Sequence, residues 1–98
     1  MVPEIKFGTY TGTAAALTSG INAIGFRPAL VLAFNQTDGD EAWFFIDGMT
    51  AGSACSITGA VAADTNACTL SATGFSLGTS TVVNESSKVY LYIAIGAR

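Results

Sequence analysis

Few side chains in this 98-residue chain are suited to covalent chemistry: it has no histidine and only two cysteines. The most suggestive spacing is Gly74-Phe75-Ser76-Leu77-Gly78, which matches the G-x-S-x-G pattern of a nucleophile elbow. An elbow needs a base to take the serine proton and a sharp strand-to-helix turn to expose it. No histidine is present and nothing after Gly78 reads as helix, so Ser76 is expected to be an ordinary strand residue. Asp38, Asp40 and Glu41 gather oxygens in one turn. A calcium loop needs ligands at alternating positions and a distant bidentate glutamate, so a solvated turn is the expectation. A structural zinc site lacks its ligands, and no cofactor is expected.

Cys55 and Cys68 lie in matching contexts, Ala-Cys-Ser-Ile and Ala-Cys-Thr-Leu, on what reads as the two arms of a hairpin. If the arms pair with these residues opposite one another, a cross-strand disulfide or close sulfur contact results, the outcome predicted here. Two buried free thiols are the alternative in a reducing cytoplasm. Asn35-Gln36-Thr37 and Asn84-Glu85-Ser86 fit the glycosylation pattern. The opening Met-Val-Pro-Glu-Ile-Lys lacks a charged region followed by an apolar one, so the expectation is a cytoplasmic product or a chain whose targeting segment has been removed, and both asparagines read as turn residues.

The composition limits the partners. Half the residues are hydrophobic and 11% are charged, against roughly a quarter in a typical domain. So bland a surface predicts burial in an assembly. Lys6, Arg27, Lys88 and Arg98 are scattered, and a net charge of −3 gives no basic stripe for phosphates, so nucleic acid is not an expected partner. No apolar run approaches the ~20 residues of a membrane-spanning helix, and no membrane association is expected.

The scaffold is organised around Lys88 to Gly96. Val89, Leu91, Ile93 and Ile95 share one side of an extended strand, and Tyr90, Tyr92 and Ala94 the other. Both sides are mostly apolar, which predicts a layer on each. The expectation is that the tyrosine side meets a partner and the aliphatic side packs within the domain. Earlier strands are predicted from Ile5 to about Tyr10, from the turn after Gly12 to about Ile24, and from Ala29 to Phe34 behind Gly25-Phe26-Arg27-Pro28. Further strands are predicted at Trp43–Ile46, Ala54–Thr58, Ala67–Ser71, Gly74–Leu77 and Thr81–Val83. In the Trp43-Phe44-Phe45 run, period two sets Phe44 against the other two, giving one core side and, on the other, either a contact side or a second core side. Trp43, Phe44, Tyr90 and Tyr92 are therefore the predicted interface residues. The fold class is all-β: a single small antiparallel β-sandwich or jelly-roll-like domain over residues 1–98.

Three segments carry a resemblance. Gly25-Phe26-Arg27-Pro28-Ala29-Leu30-Val31 resembles the G-F-x-P-x-x-V turn and strand of small bacteriophage virion proteins and tail-fibre tip domains. Gly74 to Gly78 is similar to their late G-F-(S/T)-(L/V)-G strand. Val83, Asn84 and Ser86 or Ser87, followed by Tyr90, Tyr92 and Ala94, resemble the closing V-N-x-S-G and Y-x-Y-x-A, with Lys88 standing where a glycine is common. The resemblance implies a trimer-forming β-sandwich on the outside of a phage particle. The expected role is a trimeric capsid decoration (cement) protein, a homotrimer that binds the major capsid protein and is made in the host cytoplasm. The alternative is a tail-fibre or baseplate tip that recognises a host surface glycan. An enzyme is not expected, because no acid, base and nucleophile converge.

Overall fold

The computed structural model describes residues 3–17, 21, 24–39, 42–56, 61–62 and 67–97. The described chain is all-β and its strands pair antiparallel, apart from one helical turn, α1 (Thr81–Asn84). The main sheet contains β1 (Pro3–Thr11), β2 (Leu30–Asn35), β3 (Ala42–Ile46), β4 (Ala54–Ser56), the two-residue β5 (Val61–Ala62) and β8 (Val89–Ala97). Its order is β1-β8-β2-β3-β4-β5. β6 (Cys68–Ser71) and β7 (Gly74–Leu77) form a separate hairpin.

β8 lies between β1 and β2, as its two apolar sides suggest. It pairs with β1 without a break from Thr11 opposite Val89 to Pro3 opposite Ala97. On its other edge Leu30 faces Ile95 and Asn35 faces Tyr90. The Gly25–Pro28 corner delivers β2 to this place. Gly25 has φ 99°, a region that favours glycine, and the Ala29 amide donates to the Ile95 carbonyl. Pro28, buried, stands two residues before β2, where its missing N–H costs no ladder bond.

A second layer covers one side of the sheet. Leu17 exchanges backbone hydrogen bonds with Leu77, and the Phe75 amide donates to the Ile21 carbonyl, so Leu17 and Ile21 flank β7. Gly52 and Ser53 flank β6 through bonds with Ala67 and Cys68. Between layers lies the core: Tyr10, Val31, Ala33, Trp43, Phe45, Tyr90, Tyr92 and Ala94 from the sheet meet Ile21, Cys68, Phe75 and Leu77 from above. The Phe75 ring sets its edge against Tyr92 at 5.3 Å and Trp43 at 6.5 Å between centroids.

Two expectations about elements are corrected. Thr81–Val83 is not a strand but part of α1, although Thr-Val-Val favours strand locally. The reason is Asn84. Fully buried, it accepts from the Thr13 amide through Oδ1 at 2.8 Å and donates through Nδ2 to the Ala15 and Gly78 carbonyls at 2.6 and 2.9 Å. The strand expected after Gly12 reduces, among the described residues, to the single bridge at Leu17, and Ala14 there takes φ 58°. Its remaining positions, 18–20 and 22–23, lie outside the described residues, as do Ile57 and Thr58 of the strand expected from Ala54 and Asp40 and Glu41 of the acidic turn.

Candidate interaction surface

Alternation along each strand gives the main sheet two sides with different chemistry. On the covered side, the polar ring atoms of Tyr10, Trp43 and Tyr90 are paired. The Tyr10 hydroxyl donates to the Val83 carbonyl at 2.8 Å and accepts from Trp43 Nε1 at 3.3 Å. The Tyr90 hydroxyl accepts from the Glu85 amide at 3.1 Å, and its ring stacks on Tyr10 at 4.8 Å. Burial drives the Tyr10 phenol far above its ordinary value, the Trp43 hydrogen bond opposing only part of that. Gly8 leaves room for the Tyr92 ring; a Cβ there would lie 2.6 Å from it.

The opposite side carries three apolar rows set by the register. Ile5, Ile95, Leu30 and Ile46 form the first; Phe7, Ile93, Leu32, Phe44 and Cys55 the second; Thr9, Leu91, Phe34 and Ala42 the third. Among the described residues, the exposed large hydrophobic side chains are Ile5, Phe7, Phe34, Ile46 and Leu91, and all five lie on this one side. Phe7 is 69% exposed and Ile5 56%, whereas Trp43 and Tyr90 on the covered side are 0%. No charged side chain of the four strands enters these rows. At one end the surface is rimmed by Arg27 and Asp47, whose nitrogen and oxygen lie 3.1 Å apart, and at the other by Lys88 and Asp38 at the same distance. The Arg27 guanidinium holds the Asp47 carboxyl below its ordinary value.

The predicted interface set therefore divides. Phe44 lies on the open side, half-buried among its neighbours. Trp43, Tyr90 and Tyr92 lie in the core, which corrects the expectation that the tyrosine side meets a partner. Polar tips explain the choice for two of them: on the covered side Trp43 Nε1 meets the Tyr10 hydroxyl and the Tyr90 hydroxyl meets the Glu85 amide. Ile5, Phe7, Phe34, Ile46 and Leu91 were missed as surface residues, though their shared side was readable from period two.

The other chemical candidates take structural places. Ser76 is mid-strand in β7 opposite Thr69, in extended geometry and not at a strand-to-helix turn. Asp38 is tied to Lys88, and its amide donates to Asn35 Oδ1 at 3.1 Å. Asn35 and Asn84 are both fully buried. The expected Cys55–Cys68 bond is not formed; neither cysteine is in a disulfide. Cys55 pairs with Phe44 and Val61, whereas Cys68 pairs with Leu77 in the hairpin. Since Ala54 is buried on the covered side, its neighbour Cys55 projects to the open one, and the sheet separates the two sulfurs. Burial pushes the Cys68 thiol up to about 12. Comparison of the chain with protein-family models, curated proteins and solved structures gives no match.

Proposed function

We propose that this is a virion structural protein: a trimeric capsid decoration (cement) protein of β-sandwich, jelly-roll-like form that binds the outer capsid surface and stabilises the lattice. The observation that carries the assembling role is the concentration of exposed apolar side chains on one side of the main sheet. A sheet with one side left bare loses the free energy of covering it, roughly 25 cal/mol per Å² of apolar area, and gains it on assembly. The virion role rests on the resemblance of three segments. These fall at the corner into β2, along β7, and through the turn into β8. A trimer on a local three-fold position of the lattice makes three weak contacts act together through effective concentration.

Electron microscopy of purified particles, with and without the protein, tests this reading. Density for three copies at local three-fold positions, with greater resistance of the capsid to heat, is the expected result. Absence of the protein from purified particles, or its location at a tail tip, defeats the reading.

A further inference from the structure

We infer that Asp47 and Gly48 form a self-modifying site just past β3, where Asp47 converts to isoaspartate through a cyclic imide and Arg27 slows the conversion. This chemistry belongs to the chain itself and needs only water, so it goes beyond the assembling role. The Gly48 nitrogen attacks Cγ of the protonated Asp47 carboxyl. A C–N bond forms, and the carboxyl hydroxyl leaves with the amide proton as water. A second water then opens the five-membered ring. Opening at Cγ restores aspartate. Opening at the other carbonyl leaves the main chain running through Cγ, which is isoaspartate, an isomer of unchanged mass.

The sequence holds two Asp-Gly pairs, Asp38-Gly39 and Asp47-Gly48. Glycine has no Cβ to crowd the ring, so either pair could react as a free peptide. The fold separates them. The Gly39 amide donates to the Asn35 carbonyl at 2.9 Å and is engaged away from its own aspartate. The Asp38 carboxylate is held by Asn35 Nδ2 at 3.3 Å and Lys88 Nζ at 3.1 Å. Bringing Asp38 onto the Gly39 nitrogen would break these contacts. The Gly48 amide instead donates to the Asp47 carboxyl, the group it must attack. Among the described residues no backbone carbonyl takes that amide. Nucleophile and electrophile are therefore already in contact, and such positioning is a large part of the barrier to an intramolecular reaction. Nothing crowds the place: a Cβ on Gly48 would meet no atom within 4 Å, and the Asp47 side chain is open to water. Arg27 opposes the step. Its Nε and Nη2 reach the two carboxyl oxygens at 3.4 and 3.1 Å and favour the charged form, which cannot lose an oxygen as water. Conversion lengthens the main chain by one methylene beside the tight turn closed by the Met49 amide and the Ile46 carbonyl. It also moves the free carboxyl to a new position on the chain, away from its place against Arg27.

The experiment holds the full chain for weeks at neutral pH, folded and in urea, and locates isoaspartate by electron-transfer fragmentation of its peptides. In the folded protein Asp47 should convert at least about tenfold faster than Asp38. In urea, where placement is lost, the two should convert within about threefold of one another. Arg27→Gln should speed Asp47 by about fivefold, because more of the carboxyl is then protonated, and should leave Asp38 unchanged. Asp47→Asn and Asp38→Asn take the carboxylate charge out of the comparison, since an amide forms the same imide with loss of ammonia. The first should deamidate about tenfold faster than the second in folded chains. Near-ultraviolet circular dichroism of Trp43 checks that each variant is folded. A folded native protein in which Asp38 converts as fast as Asp47 overturns the inference. So does an Asp47 that stays intact when folded while both pairs convert in urea, or an Arg27→Gln variant that converts no faster than the native chain. Equal deamidation of the two asparagine variants also overturns it, because local sequence and not placement then sets the rate.

Discussion

The covered and open sides of the main sheet draw on the same strands and the same register, yet they are built from different residue types. Tyr10, Tyr90, Tyr92 and Trp43 face the second layer; Ile5, Phe7, Leu32, Phe34, Leu91 and Ile93 face away from it. Hydropathy alone would assign them the other way round. Rings with polar tips are expensive to bury unless loop carbonyls and amides meet them, and the second layer supplies these at Val83 and Glu85. Purely aliphatic and phenyl side chains need no such partners. They suit a surface that must be apolar when covered and carry no geometric demand beyond shape.

The difference is sharpest at Trp43. Trp43→Ala removes a fully buried ring that touches Phe75 and the Tyr10 hydroxyl, and should cost about 3–5 kcal/mol in urea unfolding. A loss under about 1 kcal/mol would mean that the covered side is not the core.

Asn84→Ala tests whether the second layer is fastened by polar contacts. It leaves the Thr13 amide and the Ala15 and Gly78 carbonyls without their partner, an expected cost of about 2–3 kcal/mol. Asn84→Asp, which keeps the acceptor and loses the donor, should retain the Thr13 contact alone and recover only part of the loss.

Alkaline pH should act on the covered side. Cys68 and Tyr10 both have folded values raised by burial, Cys68 from 9.0 to about 12. An acid raised on folding stabilises fully below its unfolded value, and that stability is lost as pH climbs towards the folded one. Unfolding should therefore become easier from about pH 9 as the unfolded Cys68 ionises, and more steeply above about 10 as Tyr10 joins, at roughly 1 kcal/mol per pH unit per group. Cys68→Ala should flatten the first part of this window. A urea midpoint that holds steady from about pH 8 to 11 would contradict the burial of both groups.

The smallest effect belongs to the open side. Phe34→Ser should change the stability of the single chain by about 0.5 kcal/mol or less. A loss of several kcal/mol would show that this side is packed within one chain.

Much of the architecture was legible. β7 was read with its observed limits, and β2, β3, β6 and β8 to within one or two residues, because alternation and Gly or Pro punctuation define short strands well. Period two also separated the two sides of β8 and set Phe44 against Trp43. It could not say which side was inward, because that depends on where distant loops place their carbonyls. The α1 turn was hidden for the same reason: Thr81–Val83 has strand-like residues, and the contacts that override them come from Thr13 and Ala15, about seventy positions away. The cysteine pairing failed because matched flanks do not fix partners. β4 joins β3 and β5, while β6 joins β7 in another layer.

The pairing of β1 with β8 has a kinetic consequence. Thr11 finds its neighbour at Val89 and Pro3 at Ala97, so β1 emerges from the ribosome long before the strand that completes its ladder. Closing a loop of that length precedes any reward from the contacts, which places folding among the slower, milliseconds-to-seconds class of small β domains. Until β8 arrives, Ile5 and Phe7 are exposed on a strand with neither edge paired, when the nascent chain is most open to chaperones and most prone to cross-pairing with its neighbours.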